Sequence, residues 1–406
     1  MKDVLFITHF TQIPGEHGNN RFYYIVENID KTNVEVEVVT TSFSHMKKNQ
    51  REINKGSKNK IINRNVKFTL LNEPKYNKNV SLKRFYSHYI FGENVSKYLQ
   101  KRKKPDLIYC SVPSLGVASV AAKYAKENNI KFIIDIQDLW PEAFQMVFNV
   151  PIISNIIFYP MKKKADYIYK AADEIVAVSE TYKNRALEVN KKVKDGKVVF
   201  LGTELDKFDE AFANNKYQNK PKGEFWIAYA GTLGHSYDLT IVFDSLEILS
   251  NKGYKNLKFV VMGDGPLKEK FEDYSKGKRI NTLFTGRLPY TEMVGMLGVC
   301  DIAVNPISKG AAQSIINKHG DYAAAGLPVL NTQESLEYRN LVDEYQMGLN
   351  CNNNDPKDLA EKIQVILEDS KLKEKMGQNS RRLAEEKFDR KRTYDSIYNI
   401  IIERLY

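Results

Sequence analysis

Cysteine is scarce in this 406-residue sequence: three occur, Cys110, Cys300 and Cys351, with no paired spacing. That argues against a disulfide framework and a zinc site, and fits a reducing, cytoplasmic setting. The six histidines are scattered, and neither an Asp-x-Asp triad nor a His/Cys grouping suggests a metal. Long apolar runs are missing too: residues 146–161 form the longest, interrupted by Asn149, Pro151 and Asn155, and fall short of a membrane span. The opening Met1-Lys2-Asp3-Val4-Leu5-Phe6-Ile7 reads as a short buried strand, too brief for a signal peptide. If such a protein works at a membrane, it lies on it.

Acidic residues are in deficit. Fifty Asp and Glu face 61 Lys and Arg, a net charge of +11, which points to an anionic partner: nucleic acid, an anionic membrane surface or a phosphorylated ligand. The basic residues are not interleaved with aromatics on a recognisable module, so nucleic acid is the least favoured. Hydrophobic residues make up 42% and charged residues 27%, a globular balance. The length favours two domains of about 200 residues each.

What is present is an alternation of short apolar runs and amphipathic windows. Residues 4–8, 35–40, 107–111, 131–136 and 175–178 are predicted strands, with a helix over 116–128. The pattern restarts with strands at 225–230, 257–262, 281–285, 302–305 and 328–330. Strand–helix–strand alternation of this kind specifies a doubly wound parallel sheet, here twice. The polar stretch Asp206–Gly223, rich in Asn and Lys, is the expected linker. Residues 355–406 read as helical throughout, with Asp355-Pro356 as a helix start. Residues 46–67 carry eight cations and few apolar side chains; they read as a solvated loop, or as a flap for anionic lipid.

Ligands of tandem doubly wound sheets bind at the carboxyl ends of the strands, in the cleft between the two sheets, so the turns after each strand carry the information. The stretch Gly231-Thr232-Leu233-Gly234 follows the first strand of the second half, and such glycines let backbone amides approach a phosphate. Gly263-Asp264-Gly265 follows the next strand, where a turn needing positive φ serves as well as a ligand role. Gly286-Arg287-Leu288 follows the third. Most telling is Gln313-Ser314-Ile315-Ile316-Asn317-Lys318-His319-Gly320-Asp321, leading into Ala323-Ala324-Ala325-Gly326-Leu327-Pro328-Val329. Residues 314–318 would sit at a helix start, whose free amides can hold a diphosphate with Lys318 adding a cation. A solvated helix-start lysine is the plainer alternative.

The arrangement resembles retaining glycosyltransferase family four, which carries a Glu, seven residues and a second Glu before Ala-x-Ala-x-Gly-x-Pro-Val. The similarity extends from near Met1 to the last helix. Within the family it looks most like bacterial cell-surface polysaccharide transferases (O-antigen, lipopolysaccharide and capsule types, including those that add N-acetylfucosamine), which share Asp138-Leu139-Trp140-Pro141. The resemblance implies an α/β, GT-B fold, two Rossmann-like domains facing across a cleft. The implied acceptor domain is 1–204, with a helix of about 390–406 packing back on it, and the implied donor domain is 205–389.

Gln313 and Asp321 occupy the two Glu positions. The family implies that position 313 contacts the donor sugar and position 321 the ribose; Gln313 hydrogen-bonds but carries no charge. The basic pair that many relatives place after the first glycine loop is missing, leaving Lys318, then Arg287, to balance the diphosphate. Gly231, Thr232, Leu233, Gly234, Gly263, Gly265, Leu288, Ser314 and Asn317 complete the implied donor site. Gly18, in the loop after the first strand, faces the donor phosphates. Asp138 is the candidate that orients or deprotonates the acceptor hydroxyl, with an N-cap as its rival role, and Glu142 is the second candidate. No cofactor and no metal are expected. Relatives imply a UDP-sugar donor and a glycan or undecaprenyl-diphosphate-linked acceptor.

Residues 144–169 are strongly apolar and end in Lys162-Lys163-Lys164; they read as a core helix or as a peripheral contact with the anionic inner-membrane surface, which Lys101–Lys104 would join. Two other functions fit two Rossmann-like domains: a sugar-nucleotide epimerase, although no acid/base set surrounds the glycine loops, and a non-catalytic scaffold, which Gln313 raises.

Overall fold

The computed structural model describes every residue except 17–19, 31, 52–59, 64–65, 78–80, 146–150, 279 and 312–314, with side chains at 60–63, 145 and 151–155 also left aside. Gly18, Gln313 and Ser314 therefore lie outside the described residues, as do residues 52–59 and 64–65 of the basic stretch 46–67. The chain forms two compact units: residues 1–199 with 394–406, and residues 200–393.

The first unit is built on an eight-stranded sheet. Its strands are β1 (Lys2–Ile7), β2 (Val34–Thr41), β3 (Lys60–Asn63), β4 (Val66–Leu71), β5 (Leu107–Val112), β6 (Lys131–Ile136), β7 (Glu174–Ala177) and β8 (Lys197–Val198). Their order is β8-β7-β6-β5-β1-β2-β4-β3, parallel except for β3. Alternate residues of each strand serve opposite faces, as the pleat requires. Leu5 and Ile7 join one core with Ile108, Cys110, Ile134 and Ile136. Val4 and Phe6 join the other, with Leu107, Tyr109 and Ile133.

Helix α1 (Arg21–Asn28) starts on Asn20, whose side chain accepts the amides of Phe22 and Tyr23, and it buries Phe22, Ile25 and Val26. Helices α2 (Leu82–Lys101) and α3 (Leu115–Asn128) supply Phe91, Val95 and Leu99, and Val117, Ala118, Ala121 and Ala122, to the Leu5 face. The C-terminal helix Asp395–Leu405 covers the Val4 face with Ile397 and Ile401. Helix α4 (Pro151–Ala171) buries Ala165, Ile168 and Tyr169, while Ile156 and Ile157 are 72% and 62% exposed. Among the described residues no helix is long and apolar enough to cross a membrane.

Six parallel strands form the second sheet: β9 (Phe225–Ala230), β10 (Leu257–Met262), β11 (Asn281–Gly286), β12 (Ile302–Asn305), β13 (Val329–Asn331) and β14 (Gly348–Asn350), in the order β11-β10-β9-β12-β13-β14. Central β9 is buried along its length. Trp226, Ala228 and Ala230 face one core; Phe225, Ile227 and Tyr229 face the other.

The expected linker is corrected here. Residues 205–215 form helix α5 (Leu205–Asn215), which buries Leu205, Phe208 and Ala211 at three-residue spacing. Its Asn, Lys and Asp residues are the solvent side of an amphipathic helix, and composition alone hid the periodicity. The division between units falls at Val199/Phe200, ahead of that helix.

Candidate active site

In the second unit, chain entry to helix α6 (Thr240–Asn251) is delayed by the turn 231–238. The Gly231 amide donates to the Met262 carbonyl (2.9 Å) and the Leu233 amide to the Asp264 carbonyl (2.9 Å). These two amides, expected to face a phosphate, are spent on the neighbouring loop, and the Leu233 side chain is fully buried. Gly263 and Gly265 are on the other side of this contact. A Cβ at Gly263 would lie 1.8 Å from the Gly231 oxygen, and one at Gly265 2.4 Å from the Leu233 oxygen. Close approach, rather than positive φ, is what requires glycine there. Thr232 is exposed and Gly234 half-buried in the same turn. Arg287 is exposed beyond β11, whereas Leu288 packs on the core.

Helix α7 (Asn317–Ala324) starts where the Lys–His–Gly–Asp sequence was expected to begin a helix. The His319 amide bonds the Ile316 carbonyl (3.0 Å), and a helix leaves its first-turn amides, here Asn317 and Lys318, without intrahelical acceptors. Asn317 is exposed. Lys318 is not the solvated lysine of the plainer alternative. It is 8% exposed, and its Nζ stands 3.8 Å from the Tyr237 ring centroid and 4.5 Å from that of Tyr229. No hydrogen-bond partner for that Nζ occurs among the described residues. Burial pushes this ammonium's pKa well below its usual value. His319 stacks on Tyr338 with centroids 3.6 Å apart, and its Nδ1 accepts the Ile316 amide (3.3 Å).

One turn on, the Asp321 carboxylate accepts from Thr203 Oγ1 (3.2 Å) and Tyr290 OH (3.0 Å). Burial raises its pKa to about 6 against the pull of those two bonds. Helix and strand are locked by Tyr322, whose hydroxyl takes the Ala230 amide at the end of β9 (2.8 Å). Lys318 and Asp321 therefore project from a helix start fixed against the carboxyl end of the central strand.

In the first unit, Asp138 follows β6. Its carboxylate accepts the Leu139 amide (2.9 Å) and the Trp140 indole N–H (3.2 Å). Those bonds differ from an N-cap, which would reach the second or third amide of a helix. Burial raises the Asp138 pKa, opposed by the Trp140 and Leu139 bonds and by the nearby Arg84 charge. A half-buried carboxylate so poised can accept a proton or orient a hydroxyl. Glu142 is tied up instead: its Oε1 pairs with Arg185 Nε (2.6 Å), and Arg185 also holds Asp166 (2.6 Å). Asp135 is buried beneath, bonded by Arg21 Nε (2.8 Å) and Tyr109 OH (2.6 Å).

The histidines, taken as scattered from sequence, include two that converge in this unit, His9 and His88. His9, after β1, bonds Ser114 Oγ through Nδ1 (2.6 Å) and Glu73 Oε2 through Nε2 (2.9 Å), and Ser87 bonds the other Glu73 oxygen (2.6 Å). Burial opposes ionisation of Glu73, but His9 and the hydroxyls hold its pKa below the usual value. His88 lies edge-on to His9 (4.4 Å) and parallel to Trp140 (6.1 Å). His9, Glu73 and His88 offer ligand atoms within 4.8 Å of one another, a possible cation-binding set, although here His9 and Glu73 satisfy each other. No sequence signal marks this group, because its members come from four separate segments.

Residues 211–383, most of the second unit, match the family model described as glycosyl transferases group 1. Over 369 residues the protein is similar to a probable glycosyltransferase, WbjE, of Pseudomonas aeruginosa (23% identity, covering 87% of each chain). It is also similar to the capsular polysaccharide biosynthesis glycosyltransferase CapM of Staphylococcus aureus (23% identity, 74% of this chain and 78% of CapM). The crystal structure of Anabaena HepE in complex with UDP superposes with a TM-score of 0.68 at 14% identity, covering 99% of this chain and all of that one. The fold of this glycosyltransferase is GT-B. These matches give no support to the epimerase alternative.

Proposed function

We propose that this glycosyltransferase moves a sugar from a UDP-sugar to a glycan or undecaprenyl-diphosphate-linked acceptor in surface-polysaccharide assembly, with retention of configuration and without a metal ion. The observation that carries the reading is the start of α7, where Lys318 and Asp321 stand one turn apart inside the region matched by the family model. Asp321 accepts the ribose hydroxyls. The first-turn amides of Asn317 and Lys318 and the Lys318 ammonium meet the diphosphate, so that charge developing on the leaving group is stabilised by fixed dipoles and one cation. The bond from the anomeric carbon to the diphosphate oxygen breaks as the acceptor oxygen bonds that carbon on the same face. The acceptor proton passes to the departing diphosphate, while Asp138 orients the hydroxyl. UDP bound to HepE and the part CapM plays in capsular polysaccharide biosynthesis support the donor and the pathway.

A peripheral membrane contact belongs to the same proposal. Ile156, Ile157 and Tyr159 on α4, and Leu82, Phe85, Tyr86 and Tyr89 on α2, are exposed, with Lys83 and Lys162–Lys164 beside them. Apolar side chains rimmed by lysines suit an anionic bilayer interface. Flotation with anionic liposomes at low salt should carry the protein upward, and a protein left at the bottom argues against the contact.

For the enzymatic reading, thermal shift against a panel of nucleotides should single out UDP. Asp321→Ala should abolish that shift, whereas Asp138→Ala should keep it and lose turnover. If both variants transfer sugar like the wild type, the site is misplaced.

A further inference from the structure

Asp321 is held by two hydroxyls that the proposed reaction has not used. Thr203 Oγ1 (3.2 Å) and Tyr290 OH (3.0 Å) donate to the same carboxylate oxygen, Oδ1, and Oδ2 takes no donor among the described residues. Two donors occupy the lone pairs of Oδ1 and stop the carboxylate turning about its last bond.

The two hydroxyls are fixed by different means. Thr203 is buried, its amide donates to the Phe388 carbonyl (2.7 Å), and its carbonyl accepts the Arg390 amide (3.1 Å). Helix α7 meets this segment at Gly320. A Cβ there would lie 2.7 Å from Thr203 Oγ1, so the glycine leaves the space from which that hydroxyl reaches Asp321. Tyr290 opens the helix Tyr290–Leu297 directly after Pro289, whose ring restricts the chain at that end. Its ring is 39% exposed, and its hydroxyl bonds Asp321. Burial of that hydroxyl and the Asp321 charge raise the phenol's pKa, so it remains a donor across the neutral range.

We propose, resting on the function above, that Tyr290 and Thr203 are positioning residues of the donor site, which fix Asp321 through Oδ1 so that Oδ2 meets a ribose hydroxyl. Both act through Asp321. Burial favours its neutral acid, whereas the Tyr290 and Thr203 bonds, and after them the Arg390 charge, favour the anion that a ribose hydroxyl needs as acceptor. Glu204, beside Thr203, adds a negative charge that acts on the Tyr290 phenol, and Lys318 stands one turn before Asp321 on α7. Losing either hydroxyl therefore frees the carboxylate to turn and makes it easier to protonate.

The test titrates UDP into the full chain by calorimetry across the neutral pH range; ionisation of UDP itself is common to all variants and cancels between them. Removing one hydrogen bond to the anion, in Tyr290→Phe or Thr203→Val, should move the midpoint of the affinity profile up by about one pH unit. Each variant should then bind UDP about fivefold more weakly than the wild type near pH 6 and equally well above about pH 8.5. Gly320→Ala, which pushes the Thr203 hydroxyl away, should reproduce Thr203→Val, and Thr203→Ser should restore the wild-type midpoint. On an Asp321→Asn background, Tyr290→Phe should change nothing. A merely structural role would weaken binding by the same factor at every pH. Profiles of Tyr290→Phe and Thr203→Val that superimpose on the wild type, or lie parallel to it, overturn the inference while UDP still binds. Failure of UDP to bind the wild type would instead overturn the proposed function, and this inference with it.

Discussion

Replacing Lys318 by methionine separates what the fold wants from what the donor needs. The lysine amine is buried with no hydrogen-bond partner among the described residues, a situation that costs about 1–3 kcal/mol. Two tyrosine faces return about 0.5–2 kcal/mol, and only while the amine is charged, which its lowered proton affinity works against. Methionine has similar length, no polar hydrogen and favourable contacts with aromatic rings. Lys318→Met should therefore stabilise the nucleotide-free second unit by about 1–2 kcal/mol, a rise of about 2–8 °C in its melting temperature. The same variant should bind UDP about tenfold to a hundredfold more weakly, having lost a charged contact to the diphosphate. Scanning calorimetry with and without UDP measures both. A nucleotide-free variant that melts below the wild type, or an unchanged UDP shift, would refute the reasoning.

Asp321 makes nucleotide binding pH-dependent. Its pKa is raised from 3.8 to about 6, so the cost of ionising it is fully present above about 6 and disappears as pH falls towards 3.8. Ribose hydroxyls need the ionised form, so UDP affinity should drop as pH falls through about 6, and Asp321→Asn should flatten the profile; a wild-type profile already flat in that range would count against the assignment. Arg21→Met leaves Asp135 buried beside Tyr109 without its cation, and denaturant titration should show a loss of about 3–5 kcal/mol that Asp135→Leu added to it largely restores. A loss under about 1 kcal/mol would show that the pair is dispensable. Gly265→Ala drives a Cβ into the Leu233 carbonyl, a backbone atom that cannot rotate away, and should lower stability by about 1–3 kcal/mol. An unshifted melting curve would mean that the loop yields freely.

Strand positions were legible because buried parallel strands are short apolar runs bounded by turns. Residues 131–136, 225–230, 257–262 and 302–305 coincide with β6, β9, β10 and β12. Helix α5 was hidden because its apolar residues are few against an Asn- and Lys-rich background, although Leu205, Phe208 and Ala211 keep helical spacing. The glycine loops were visible as positions, but their cause was not: only the folded chain shows Gly263 and Gly265 accommodating the backbone of residues 231–233. Lys318 was legible as a residue of interest and illegible as a buried one, since Tyr229 and Tyr237 lie some way upstream. The group of His9, Glu73, Ser87 and Ser114 follows from β1, β4 and β5 ending side by side or nearly so in the sheet, which no local spacing encodes.

The last thirteen residues have a consequence for how the protein is made. Tyr394 lies against the Arg21 guanidinium, 4.9 Å from it, and Ile397 and Ile401 fill the Val4 face of a core otherwise drawn from the first half of the chain. On the ribosome, that core stays open while residues 200–393 are synthesised, and it closes only once the final helix has left the exit tunnel. The half that is translated first is thus the half that matures last, with an apolar groove awaiting a segment nearly 200 residues away.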